Sequence, residues 1–333
     1  MTVRSLDIDI TKGILTIGMV FAHVIQLLAF QPNVWLSNIS GVANLVSFSG
    51  FYFCFGYAVW TAYLQKETPP WKSVIRTAIK CYIAFLVSGI AFLTLVSNKP
   101  LEIQLVLKVA LLRVIPGYSE FLISFALIVI LSSIFSSLIT KCITGKNILY
   151  ASLACSVFMF LPKHISFDPY VGLFIGGKGY AYFPVIQYLP LFLFGAFLAR
   201  YNFGFDKRLF FVSVGLVLVY YILTLYDVQA SRFPPSLLWI VGSAGLTYIY
   251  YGIAVFIGNN ATRFIKFYLN VVGQNVLLYL VVSNIIIFTL VALGLSKSLN
   301  VFESVFVFAA IMLGILFLHY ISVDFSTTDK RMR

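Results

Sequence analysis

Apolar stretches of about 20 residues recur along most of this chain, and they leave few ways for it to fold. Its 333 residues are 61% hydrophobic and 10% charged, which is far from the balance of soluble globular domains. A helix of about 20 apolar residues is long enough to cross a lipid bilayer. The sequence therefore predicts an all-α fold, a polytopic membrane helix bundle that forms a single domain over residues 1–333.

The apolar pattern predicts about ten transmembrane helices. They cover residues 8–30, 41–64, 74–97, 119–140, 147–161, 184–200, 209–226, 236–257, 267–293 and 301–322. Residues 101–115 carry charges in an apolar background, which favours an interfacial helix over a further span. Ten spans place both termini on one side of the membrane. Lysines and arginines are more frequent in the loops on that side, so we expect it to be the cytosol.

The net charge of +12 does not indicate a nucleic-acid partner, because the basic residues are spread over short loops. We expect these residues to contact the anionic headgroups of membrane lipids and to orient the chain. The four cysteines, Cys54, Cys81, Cys142 and Cys155, stand apart from one another, and the chain has three histidines. This pattern predicts neither a disulfide framework nor a metal site.

His23 stands near the middle of the first apolar stretch. A titratable side chain at such a depth is unfavourable in hydrocarbon and therefore points to a function. His23 follows Lys12 by eleven residues, so in an α-helix the two lie about 20° apart around the axis and about 16 Å apart along it. Asp9 precedes Lys12 by three residues, on the same side of the helix. One face of the first helix is therefore predicted to carry two opposite charges near its N-terminal end and a candidate base deep in the hydrocarbon region.

This arrangement suits the transfer of an acyl group. A histidine in a dry site can act as general base towards a hydroxyl. The phosphates of cytosolic acyl-CoA need cations at the cytosolic mouth, and we expect Lys12, Lys72 and Arg76 to supply them. The distance of about 16 Å between Lys12 and His23 is close to what a pantetheine arm must cross. Glu120 opens the fourth span near the opposite face, where it can orient His23 or hold an acceptor hydroxyl.

Each of these residues also has a structural interpretation. A lone intramembrane histidine can hydrogen-bond a neighbouring helix, and Lys12 can extend to the cytosolic interface. Asp9 and Glu120 can each face the macrodipole at the N-terminus of a helix. Residues 162–183 contain tyrosines that can stack on a sugar or sit at the membrane interface. The alternative function is a proton-coupled transporter or flippase of a glycan precursor, although the internal repeats and paired helix breaks that favour it are not found in the sequence.

The pattern Asp9-x-x-Lys12-Gly13, with His23 ten intervening residues after Lys12, resembles the first-helix signature of the acyltransferase-3 family of integral membrane acyltransferases. Three weaker similarities lie further along the chain. Phe53–Tyr57 is similar to the family's second-helix motif, with Phe55 at the usual serine. The segment from Gly273-Gln274-Asn275 to Tyr279-Leu280 is similar to a late family motif, with Val276 in place of serine and Val282 where a histidine often follows. Residues 232–236 resemble heparan-glucosaminide acetyltransferase-like membrane proteins.

The resemblance implies a ten-span membrane O-acyltransferase, which we expect in a bacterial inner (plasma) membrane. It implies that an acyl group, usually acetyl, moves from cytosolic acetyl-CoA to a hydroxyl of a cell-envelope polysaccharide or lipid-linked glycan. His23 would be the catalytic residue and Lys12 its basic partner. Together with the residue pattern, this gives His23, Asp9 and Glu120 as the expected catalytic set, with Asp9 acting through Lys12, and Lys12, Lys72 and Arg76 as the donor-binding set.

Overall fold

The computed structural model describes residues 5–160, 165, 168–177 and 183–331, and every regular element in these residues is helical. The helices are α1 Leu6–Leu28, α2 Val34–Val59, α3 Trp71–Ala91, α4 Ile103–Ala110, α5 Glu120–Ile134, α6 Ser136–Cys142, α7 Asn147–Val157, α8 Pro169–Ile175, α9 Val185–Arg200, α10 Lys207–Leu225, α11 Leu237–Asn260, α12 Arg263–Gln274, α13 Val276–Leu290 and α14 Val301–Arg331. Short π-helical turns extend α2 to Leu64, α3 to Val96 and α13 to Leu295, and a 3₁₀ turn extends α7 to Phe160.

The described residues contain seven helices long and apolar enough to cross a membrane, which confirms the helical membrane class. These are α1, α2, α3, α10, α11, α13 and α14. Helices α2, α3 and α13 are counted with their π-helical extensions. Helices α5 and α6 give an eighth span if they are counted together, although the chain bends by 92° between them. Two shorter apolar helices, Asn147–Phe160 and Val185–Arg200, occupy the fifth and sixth predicted spans.

Helix α1 lies at the centre of the bundle and packs against α2, α11, α12, α13 and α14. Helix α2 returns antiparallel to it, since Gly50 of α2 lies against Leu15 and Ala43 lies against Gly18. The predicted start of the second span at residue 41 was wrong by seven residues. The Asn33 side chain accepts a hydrogen bond from Leu36 N at 2.9 Å and so caps the helix at Val34.

The predicted ninth span, 267–293, is two helices in the structure. Helix α12 ends at Gln274 and α13 begins at Val276, and Asn275 between them has φ −119° and ψ 32°. One face of α12 carries the exposed Arg263 and Phe264 and the other buries Leu269 against the bundle. The apolar continuity of the sequence therefore concealed a break, which lies against the N-terminal part of α1.

Candidate functional site

His23 lies inside the bundle, where 7% of its surface is exposed. It is one and a half turns from the C-terminal end of α1, about 8 Å from Leu28 and about 25 Å from Leu6 by helix rise. The imidazole is therefore closer to the membrane face opposite Lys12 than its position in the apolar stretch suggested. Its surroundings come from α3, α13 and the turn that precedes α5.

Asn284 of α13 holds one nitrogen of the His23 ring. His23 Nδ1 and Asn284 Oδ1 are 2.8 Å apart. On its other side the Asn284 amide nitrogen donates to Ser88 Oγ at 2.8 Å and to the Tyr118 carbonyl oxygen at 3.2 Å. A carbonyl oxygen can only accept, so this contact fixes which end of the Asn284 amide carries the hydrogens.

The orientation of Asn284 determines the protonation pattern of His23. Because Oδ1 faces the imidazole and can only accept, Nδ1 of the neutral ring carries the hydrogen. Nε2 then has the lone pair and is the nitrogen able to take a proton. The Tyr118 ring meets the imidazole edge-on, with 4.8 Å between ring centroids, and helps to fix its plane. This geometry fixes the orientation of the imidazole and leaves Nε2 as its basic nitrogen, with Asn284 as the residue that positions the ring.

Glu120, the first residue of α5, lies near the same end of the bundle. Only 6% of its surface is exposed, and its Oε2 has no hydrogen-bond partner among the described residues. Arg232, in the segment between α10 and α11, is close enough to interact electrostatically with both Glu120 and His23. The guanidinium carbon of Arg232 lies 5.0 Å from the centre of the Phe183 ring and 4.9 Å from that of Phe233.

The Asp9–Lys12 pair lies at the other end of α1. Lys12 Nζ is 2.5 Å from Asp9 Oδ1, and their side chains are 19% and 3% exposed. Gln274, at the end of α12, places its amide nitrogen 3.5 Å from Asp9 Oδ2. The break between α12 and α13 thus lies beside the ion pair. The segment Asp9–Gly13 and the segment that begins at Gly273, which are far apart in sequence, are therefore neighbours in the structure.

Two glycines allow α1 and α12 to approach this closely. A Cβ on Gly273 would lie 1.8 Å from the Asp9 carbonyl oxygen, and a Cβ on Gly13 would lie 2.3 Å from the Leu269 carbonyl oxygen. Both obstacles are backbone atoms of a facing helix and cannot rotate away as a flexible side chain can. The glycines in the two motifs therefore have a packing role at the Lys12 end of the site.

Lys72 and Arg76, expected to bind the donor, lie on the exposed side of α3. Ile75 and Ile79 are exposed on the same helix, at 49% and 50%. The structure therefore brings Asp9 and Lys12 together and places Glu120 two residues after Tyr118, whose ring contacts His23. It leaves Lys72 and Arg76 at the surface of the bundle, outside the Asp9–Lys12 contact.

Sequence reasoning missed most of the residues around His23. Ser88 gave no signal among many small polar residues in apolar helices. Asn284 and Tyr118 stand in no sequence pattern that links them to His23. Arg232 belongs to the weak similarity at residues 232–236, which does not indicate that it lies close to His23. Four residues of the tyrosine-containing loop, His164, Lys178, Tyr180 and Tyr182, lie outside the described residues.

Within the described part of the chain, no group of three or more His, Cys, Asp or Glu side chains is arranged to hold a metal ion. In comparisons with known proteins, the chain matches no family model, no curated protein and no solved structure.

Proposed function

We propose that this chain is an integral membrane O-acyltransferase that moves an acetyl group from acetyl-CoA to a hydroxyl of a cell-envelope polysaccharide or lipid-linked glycan. The observation that carries the proposal is the 2.8 Å contact between His23 Nδ1 and Asn284 Oδ1, which leaves Nε2 as a buried, oriented base. The resemblance of the Asp9, Lys12, Gly13 and His23 pattern to the acyltransferase-3 signature adds support.

In this reaction His23 Nε2 takes the proton of the acceptor hydroxyl while the hydroxyl oxygen attacks the thioester carbonyl carbon. A C–O bond forms, the C–S bond breaks, and the proton returns from His23 to the leaving sulfur. The products are an acetyl ester and free CoA. Asn284 contributes by holding the ring in one tautomer, because its Oδ1 accepts the hydrogen on Nδ1.

The donor is proposed to arrive from the end of α1 that carries Lys12. Phosphate groups need cations there, and the Lys12 ammonium, held by Asp9, is the best-positioned one. Lys72 and Arg76 begin α3 at the same end of the bundle and would act as surface charges that attract the phosphates. The pantetheine arm would then lie along α1 and carry the thioester over the roughly 16 Å that separate Lys12 from His23.

The acceptor is proposed to arrive at the opposite end, which carries Glu120. In a ten-span arrangement with both termini in the cytosol, that end faces away from the cytosol. This arrangement requires α7 with its extension and α9 to cross the membrane, although their 14 and 16 residues give only about 21 Å and 24 Å of helix. The excess of basic residues on the side of the termini supports the orientation.

Purified protein in proteoliposomes, with radiolabelled acetyl-CoA and a cell-envelope glycan fraction, tests the proposal directly. We expect label in the glycan, and a fall of about 100-fold or more in the rate for His23→Ala. His319→Ala is the matched control and should retain the wild-type rate. The start of α14 follows Leu299, which pairs with Ala29, and His319 lies about 27 Å further along that helix by helix rise. Transfer by His23→Ala at the wild-type rate would remove the proposed role. Movement of a lipid-linked glycan across the vesicle without acetylation would favour a transporter instead.

A further inference from the structure

Glu120 and Arg232 share an uncommon situation, and we refer to them as the acceptor pair. Glu120 is 6% exposed with Oε2 lacking a hydrogen-bond partner, and Arg232 Nε is likewise buried without one in the described part of the chain. A buried polar atom without a partner is unfavourable by about 1–3 kcal/mol, more for charged groups. These two atoms belong to groups of opposite charge, and Arg232 lies within electrostatic range of both Glu120 and His23. Together they point to a ligand that satisfies them.

In the described part of the chain, Glu120 and Arg232 do not form an ion pair with each other. Opposite charges attract strongly in a poorly solvated interior, so contact between them would be favourable if both were free to move. Arg232 is instead held over the rings of Phe183 and Phe233, at 5.0 Å and 4.9 Å from their centres. The Glu120 carboxyl is held at the start of α5 by hydrogen bonds from the backbone of Glu120 and Ser119. The two side chains are therefore kept near one another without neutralising each other by direct contact.

We propose that Glu120 and Arg232 bind neighbouring hydroxyls of an uncharged sugar, next to the hydroxyl that His23 deprotonates. This inference rests on the proposed acyltransferase function and names the substrate class of its acceptor. A carboxylate only accepts hydrogen bonds, and a guanidinium only donates them. A sugar hydroxyl does both, so adjacent hydroxyls can satisfy Glu120 Oε2 and Arg232 Nε together.

The sign of the charges selects against an acidic sugar. Arg232 alone would attract a carboxylate or phosphate, since a guanidinium binds either one well. Glu120 lies within electrostatic range of Arg232, and a second anion there would meet like charge in a poorly solvated place. The acceptor pair carries no net charge, so the site favours a ligand without charge.

Binding of two simple glycosides to the full-length protein in detergent tests this without any acyl donor. The probes are methyl glucopyranoside, which is neutral, and methyl glucuronopyranoside, which is anionic, titrated by ligand-observed NMR. Wild-type protein should bind the neutral glycoside more tightly. Glu120→Gln and Arg232→Lys should each weaken that binding by about tenfold or more, since each removes a hydrogen bond to a charged group. Glu120→Gln should also shift the preference towards the glucuronoside.

Two exposed residues on the same side of the bundle provide matched controls. Glu102→Gln and Arg113→Lys make the same chemical changes at the surface and should leave glycoside binding unchanged. Arg232→Lys keeps a cation over the aromatic rings, so this variant should fold even if a larger change does not. Unchanged binding in both acceptor-pair variants would overturn the inference. Tighter binding of the glucuronoside by the wild-type protein, or binding of neither glycoside, would overturn it as well.

The titration contains no acetyl-CoA, so its result is separate from that of the transfer assay. Sugar binding that depends on Glu120 and Arg232, in a protein that transfers no acetyl group, would keep the sugar site and remove the enzyme. Acetyl transfer that depends on His23 but is indifferent to both acceptor-pair variants would keep the enzyme and remove the sugar site.

Discussion

At the scale of single residues, the site depends on the direction in which one amide points. The Tyr118 carbonyl and the Ser88 hydroxyl accept hydrogen bonds from the amide nitrogen of Asn284. The amide oxygen of Asn284 therefore faces His23. The burial of His23 inside the bundle was predictable from the sequence, because a histidine on the lipid face of an apolar helix is unfavourable. The partners of His23 were not, since asparagine and serine are common at helix contacts in membranes and only the packing shows which of them meet.

Replacing Asn284 should affect catalysis more than donor binding. Asn284→Leu removes the acceptor for Nδ1–H, so the imidazole can turn or change tautomer, and we expect kcat to fall about 100-fold. Ser88→Ala, which leaves the Tyr118 carbonyl as acceptor for the amide, should have a smaller effect. Transfer kinetics at varied acetyl-CoA would show this, with the donor KM close to wild type. A rise in donor KM with kcat unchanged would contradict the positioning role, and Asn260→Ala, at an exposed amide of α11, is the control.

Lys12 is proposed to bind donor phosphates as well as to neutralise Asp9, and the two roles can be separated. Lys12→Ala removes the ammonium 2.5 Å from a buried carboxylate, so it should lower stability by about 3 kcal/mol and also weaken acetyl-CoA binding. Adding Asp9→Asn should restore stability but not donor affinity. Lys12→Arg should keep more function than Lys12→Ala. Unfolding in detergent and acetyl-CoA titration measure the two effects, and wild-type donor affinity in the double variant would remove the phosphate role.

At the scale of helices, the sequence predicted their existence better than their ends. The apolar stretches gave the long helices because crossing a bilayer demands such length. The early start of α2 depends on a local cap at Asn33, ahead of the residue at which the second span was predicted to begin. The break at Asn275 could not be found from apolarity, because it follows from contact between α12 and α1 through Gly13 and Gly273.

The contact between α1 and α12 should be intolerant of a single methyl group. Gly273→Ala places a Cβ against the Asp9 backbone carbonyl, so we expect a loss of about 1–3 kcal/mol from overpacking. Gly314→Ala is the matched control within α14, where a Cβ meets nothing within 4 Å. It should be neutral or slightly stabilising, as alanine favours helix over glycine. Thermal unfolding in detergent compares the two, and equal stability would show that the helices can separate without cost.

At the scale of the whole molecule, the helical membrane class was predictable from composition, but the number of crossings was not. Seven long helices are clear, whereas α7 and α9 are short and α5 bends sharply into α6. Apolarity cannot tell a short crossing from a helix that enters and returns, because both bury similar residues. The proposed topology therefore needs its own measurement.

Cysteine labelling in intact cells tests the ten-span topology. In a background lacking native cysteines, Ser97→Cys and Asp168→Cys should react with an impermeant maleimide from outside. Lys66→Cys and Lys146→Cys should react only after permeabilisation. All four positions are exposed. Labelling of Asp168→Cys and Lys146→Cys from the same side would show that α7 does not cross, and reversed labelling of all four would invert the orientation.

The hydrogen bond between His23 and Asn284 joins residues 261 positions apart. At a synthesis rate of about 5–20 residues per second, α1 emerges from the ribosome roughly 10–50 s before α13. During that interval the imidazole has no Asn284 to fix its tautomer. The Ser88 hydroxyl and the Tyr118 carbonyl likewise lack the amide donor of Asn284. Biosynthesis therefore delays assembly of the base until the penultimate helix has been inserted. A polypeptide released before α13 would contain Lys12 and His23 and still lack an oriented base.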